Sequence, residues 1–142
     1  MSTFLDDLSA RLVAQGVGVA NTSIFLSSMT VIPTDVGKSG KPKSILLIRE
    51  TGGAGPERTH NDGAVPAFQR PSAQLMAVAP LYADAYVMAR KAYDALVTVR
   101  NMTLSGTWYR EINPLQEPFD LGPDAANRAQ VAFNVTAIKR PS

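Results

Sequence analysis

The sequence predicts one α/β domain, and three patterns predict it. Phe4, Leu5, Leu8, Leu12 and Val13 recur at helical spacing, so a first helix is expected from Thr3 to Gln15. Leu81, Ala85, Met88, Ala92, Leu96 and Val99 recur three or four residues apart, which predicts a longer second helix from Leu81 to Val99. Val131, Phe133 and Val135 alternate to one side, so Ala129 to Ile138 reads as a strand forming a wide hairpin with Gly106 to Ile112.

Each element has local reasons. Ser2 or Thr3 can cap the first helix, Asp6 and Asp7 complement its positive end, and Gly16 can terminate it. A short strand is expected over Ser23 to Ser27, followed by a turn-rich loop from Pro33 to Lys43. Ser44 to Arg49 reads as a strand buried on both faces, because Ile45, Leu46, Leu47 and Ile48 are consecutive and apolar. Gly52 to Pro71 is expected to be a long loop without its own periodicity, a kind that is usually functional. Ser72 to Ala79 is the next strand, and Pro80 suits a helix start. On the second helix, Asp84, Arg90, Lys91 and Asp94 face away from the apolar stripe, while Ala85, Ala89 and Ala92 suit close approach to a sheet. The loop from Asn113 to Arg128 holds Leu115, Phe119 and Leu121, apolar side chains that must pack back or meet a partner.

Composition narrows the function. A chain of 142 residues can bury a single core. The absence of cysteine excludes disulfides and thiolate metal sites. Asp6 and Asp7 stand where a signal peptide carries positive charge, and no apolar run approaches the ~20 residues of a membrane helix, so cytoplasmic synthesis without membrane insertion is expected. The net charge of +2 is small. Lys38, Lys41 and Lys43 cluster in one loop, and Lys139 and Arg140 lie near the C-terminus. They offer an alternative reading as a small nucleic-acid-binding module, though without the dense, aromatic-interleaved stripe such modules show.

Catalytic arrangements are poorly represented. His60 is the only histidine and lies in the long loop; Asp62 is near it, but two ligands make a weak metal site. Gly37-Lys38-Ser39 ends like a P-loop, yet Ile32 stands where that motif needs glycine. Gly53 and Gly55 begin a dinucleotide fingerprint, yet Arg58 takes the third glycine position. Neither a cofactor nor a metal is expected, and the chain is expected not to be an enzyme.

The order Glu50-Thr51-Gly52-Gly53, then Arg70-Pro71 with Gln74, then the Tyr82/Ala85/Ala89/Tyr93/Leu96 helix, then Leu115-Gln116-Glu117-Pro118-Phe119 with Gly122 and Asp124, resembles the tail terminator (tail completion, minor capsid) proteins of long-tailed bacteriophages. The resemblance implies an α/β (α+β) fold with two helices on one side of a mixed, mostly antiparallel sheet. It implies a structural virion protein located at the tail neck, a homohexameric ring capping the head-proximal end of the tail tube. Tube protein and head-completion (stopper) protein would be its partners, and DNA would pass through its lumen without specific binding. On this reading Arg49, Glu50, Gly52, Gly53, Arg58, Arg70, Leu115 and Phe119 face neighbouring subunits or the tube, and Lys38, Lys41 and Lys43 face the lumen or a partner.

Overall fold

A computed structural model describes residues 3–26, 36–57 and 68–141. The first helix, α1 (Phe4–Ala14), begins where Thr3 and Asp6 satisfy each other's backbone N–H groups. The Thr3 hydroxyl accepts from the Asp6 amide at 3.2 Å, and the Asp6 carboxylate accepts from the Thr3 amide at 3.0 Å. That contact holds the Asp6 carboxyl below its ordinary range. Asp7 behaves differently from the expectation that both acids serve the helix end. Its side chain is fully buried and takes a 2.5 Å hydrogen bond from the Tyr109 hydroxyl. Gly16, at φ 75°, turns the chain away after the helix.

Seven strands follow in one sheet: β1 (Ile24–Leu26), β2 (Ile45–Glu57), β3 (Phe68–Ala79), β4 (Arg100–Leu104), β5 (Thr107–Pro114), β6 (Phe119–Pro123) and β7 (Ala129–Lys139). Their order is β1-β2-β3-β7-β5-β4, with β6 also on β7. Only β1 and β2 run parallel; every other neighbouring pair is antiparallel. The second helix, α2 (Tyr82–Val97), lies against the central strands through Ala85, Ala89, Ala92 and Leu96, and these small residues allow a close approach. α1 joins the same core through Leu5, Leu8 and Leu12, so both helices cover one face of the sheet. The Arg11 guanidinium binds them together, donating to the Ala95 carbonyl at 3.2 Å and to the Thr98 hydroxyl at 3.1 Å. A cation there also suits the negative end of α2. On the opposite face, Val36 packs over Ile45 and Val78 beside half-buried Phe25, Leu47 and Met76.

Several expected boundaries change. Of the long loop expected from Gly52 to Pro71, the described residues are strand: β2 runs on to Glu57 and β3 starts at Phe68, forming an arm. Register shifts between Glu50 and Gly52 and between Ala54 and Glu57 break the two-residue period there. Gly53 belongs to this arm of necessity, because a Cβ on it would sit 2.1 Å from the Arg70 carbonyl oxygen. The loop from Asn113 to Arg128 contains β6, which pairs with β7 from Phe119↔Ala132 to Pro123↔Ala129. The second helix ends at Val97, and β4 follows it. Ser105 and Gly106, at φ 49° and 85°, form the tight turn into β5.

The turn between β6 and β7 is locked by one carboxylate. Asp124 accepts from the amides of Ala126 (2.9 Å) and Arg128 (2.8 Å) and forms a 2.9 Å ion pair with the Arg128 guanidinium. Burial pushes this carboxyl up, but the Arg128 amide and guanidinium and the Ala126 amide outweigh it and hold it below its ordinary value.

Two stability predictions follow from these contacts. Burial, then the bond to Asp7, raises the Tyr109 phenol well above its ordinary range. Tyr109→Phe removes one partner of a buried carboxyl, so it should destabilise the fold by about 1–3 kcal/mol. Urea unfolding measures this, and an unchanged midpoint would show the bond contributes nothing. The Asp124 group has its folded pKa below its unfolded one. Its stabilisation is therefore present above about pH 3.9 and is lost as pH falls through the lower, folded value. Asp124→Asn should accordingly lower Tm at pH 7, with the gap to the parent chain closing at progressively more acid pH.

Candidate interaction surface

The expected interface residues separate into two groups on opposite flanks of the sheet. The first group lies on the β2–β3 arm. Glu50, Thr51, Gly52, Gly53, Ala54 and Gly55 are all exposed along β2. Arg49 is exposed at the root of the arm and donates to the Gln74 side chain at 2.9 Å. Arg70 is half-buried on the facing strand, opposite Ala54. Between the two strands runs an open groove of about 360 Å³, lined by Glu50, Gly52, Gly53, Ala54, Arg70 and Pro71 among others. The structure therefore brings Arg49, Glu50, Gly52, Gly53 and Arg70 together. Arg58, His60 and Asp62 lie outside the described residues.

The second group lies on the ribbon from Leu115 to Pro123. β5 leaves β7 at Pro114↔Val135 and β6 rejoins it at Phe119↔Ala132. The gap is bridged in two ways: the Leu115 amide donates to the Asn134 carbonyl at 2.7 Å, and the Gln116 side chain accepts from the Asn134 amide at 3.0 Å. With the backbone satisfied, the apolar side chains turn outward. Leu115 is 61% exposed, Leu121 44% and Phe119 36%. Glu117 ties the ribbon to α2 through an ion pair with Arg90, whose guanidinium sits 4.7 Å from the centre of the Tyr93 ring. Tyr82 and Tyr86, stacked with ring centres 6.1 Å apart, continue this exposed surface along α2. Their four-residue spacing, which lies off the Ala85/Met88/Ala92 stripe, is the sequence signal for their exposure.

The two groups of basic residues differ in exposure. Lys38, Lys41 and Lys43 are exposed on a turn closed by the Gly37 amide donating to the Pro42 carbonyl at 2.7 Å. A Cβ on Gly37 would meet Pro80 at 2.6 Å, so this turn lies tightly against the start of α2. Lys139 is only 5% exposed, and Arg140 lies over the Trp108 ring at 5.0 Å. Burial of Lys139 removes half of the C-terminal pair on which the nucleic-acid reading drew. Among the described residues, no group of three or more His, Cys, Asp or Glu side chains could hold a metal ion. No described helix is long and apolar enough to cross a membrane.

What the arrangement offers is adhesion: backbone edges, outward apolar side chains and a groove. No protein-family model and no curated protein sequence matches the chain. Among solved structures, it is similar to a chain of the virion of a native gene transfer agent (GTA) particle, with a TM-score of 0.56 and 14% identity. The likeness covers 92% of this chain and 84% of the other, and it is a likeness of fold.

Proposed function

We propose that the chain is a structural protein of a phage-type virion and, within it, a tail terminator. The observation that carries this reading is the fold shared along almost its whole length with a protein of the GTA virion. The ordered motifs from Glu50-Thr51-Gly52-Gly53 to Asp124 support the finer assignment. Six copies close as a ring on the head-proximal end of the tail tube, stop tube growth and present a surface to the stopper protein. A ring of identical subunits needs two different, complementary surfaces on each, and the arm and the ribbon supply such a pair. A net charge of only +2 per copy suits a lumen through which DNA must pass, since a wall that bound phosphates tightly would slow the passage. The chain catalyses nothing in this role.

Particles assembled without this chain should carry tails of uncontrolled length that do not join heads. Electron microscopy of complete particles should place six copies at the neck. Tails of normal length in its absence, or density for the chain elsewhere in the particle, would rule the assignment out. His60→Ala should leave the yield of complete particles unchanged.

A further inference from the structure

The geometry points to a specific junction between copies: the outer edge of β6 in one copy pairs, antiparallel, with the outer edge of the β2 arm in a second copy. The large apolar side chains of the ribbon then lie over the glycine-rich arm. This inference rests on the ring reading above for the head-to-tail order of the copies, and adds which strands meet and in what direction.

Free strand edges are the first argument. β1 pairs with β2 only at Leu46, Leu47 and Ile48. From Arg49 to Glu57, β2 has β3 on one side and, among the described residues, no strand on the other, and Glu50 to Gly55 are exposed. On the other flank, β6 has β7 on one side and no described strand on the other. Unpaired edges of this kind are templates for strand addition. β1 and β4 end the sheet as well, but β1 has only three residues, and β4 carries Arg100 and an Asn101 at φ 46° that interrupts its regular backbone.

Direction is the second. β2 is antiparallel to β3, β3 to β7, and β7 to β6. Within one copy, β6 therefore runs opposite to β2. A neighbour placed head to tail in the same orientation brings its β2 antiparallel to this β6. The junction extends the existing pattern in its more stable form. Two unlike edges also cannot satisfy themselves as a symmetric pair, so the contact propagates from copy to copy.

Side-chain size forms the third. Leu115, Phe119 and Leu121 project from the ribbon, whereas the arm presents Gly52, Gly53, Ala54 and Gly55. The positive φ of Gly52 and the close approach at Gly53 explain those two glycines. Gly55 has neither: its φ is not in the left-handed region and an added Cβ would meet nothing within 4 Å. Nothing in the described subunit requires glycine there, while a neighbour's side chain lying across that backbone would. The groove of about 360 Å³ beside it offers an apolar seat. Residues 115–123 carry Glu117 and Asp120 and no Lys or Arg, and the arm carries Arg49 and Arg70 beside the exposed Glu50. Glu117 is held by Arg90, Asp120 accepts from the Gly122 amide at 2.8 Å and Arg49 donates to Gln74, so size rather than charge makes the two surfaces complementary.

Closure is the fourth. Register across β6, β7, β3 and β2 places Phe119 level with Leu47. The free stretch of β2 centres on Gly53, about six residues further along, or ~20 Å. Four strands span roughly 19 Å laterally at the usual spacing. Copies offset in this proportion close only if the strands tilt about 45° from the ring axis, at the upper end of the tilt found in closed barrels.

The native chain has no cysteine, so a pair can be introduced cleanly. Particles are assembled with the double variant Thr51→Cys/Leu121→Cys, whose two positions are exposed and lie opposite each other in the junction, treated with a short bismaleimide, and resolved by denaturing electrophoresis. The expected result is a ladder of covalent multimers ending at the size of the full ring. The single variants should give no ladder. Absence of the ladder from the double variant in particles that contain a ring, or dimers alone, would overturn the junction while leaving the ring assignment standing. Conversely, a ladder formed by the purified double variant at high concentration would uphold the junction even if the chain proved absent from the neck. Leu115→Asp provides a second check: thermal unfolding should stay close to the parent, because the side chain is 61% exposed, while incorporation into particles falls at least tenfold. Normal incorporation would overturn the proposal.

Discussion

The whole structure depends on β7 being paired along both of its edges. On one side β3 matches it from Ala79↔Ala129 to Gln69↔Lys139. On the other, β6 and β5 share it in tandem, β6 taking Ala129 to Ala132 and β5 taking Val135 to Lys139. A strand with both edges satisfied can be buried, and Val131, Phe133, Val135 and Ala137 are fully so. α2 meets this row with Ala85, Ala89 and Ala92, where larger side chains would hold the helix off. Tyr93 closes the side of the contact with its ring edge-on to Phe133, the centroids 5.6 Å apart.

Splitting one edge of β7 between two strands creates a problem in the middle, where the chain leaves the ladder between Pro114 and Phe119. An Asn134 amide left without a partner there would forgo a hydrogen bond worth about 0.5–1.5 kcal/mol. Gln116 solves this by offering a side-chain carbonyl where a backbone carbonyl is missing. Asp124 solves the second problem, the reversal into β7, by taking over the free amides of the turn. Because polar side chains meet these backbone demands, Leu115, Phe119 and Leu121 are not needed inside. They are left for the surface. The exposed ribbon is thus a consequence of how the central strand is shared.

The parts legible in the sequence are those whose side chains answer to one environment. α1 and α2 each have a single buried stripe, and their extents came out within two residues at either end. β7 and β5 alternate because each has one covered face, so their hairpin was readable too. The arm was not. Gly52, Gly53, Gly55 and Pro56 are residues that central strands exclude, and they are tolerated here because β2 is at the sheet edge and bulged. β6 was hidden likewise, since Pro118, Pro123 and the bulge between Asp120 and Gly122 leave only a few regular positions. β4 was masked because Val99 continues the apolar spacing of α2 after the helix has ended. For the candidate surface, Leu115 and Phe119 were readable as apolar residues among turn formers. The separation of the arm and the ribbon onto opposite flanks was not, because it arises from strand order, which no local pattern encodes.

A subunit that keeps two adhesive edges must avoid using them too early. Long, flat, apolar edges invite aggregation, and neither edge here is of that kind. β6 is five residues long and ends in proline. The β2 edge is longer but is interrupted by glycines and two register shifts, and it carries almost no apolar side chain. The apolar component sits on one edge and the open backbone on the other, so a copy meeting its own kind in the wrong orientation brings like against like. Phe119 against Phe119 would bury oil but leave the ladders mismatched, and arm against arm would pair backbones with nothing to pack. Only the head-to-tail meeting combines ladder and apolar burial. Each term is modest alone, which favours contacts that form cooperatively among several copies over contacts between two free monomers.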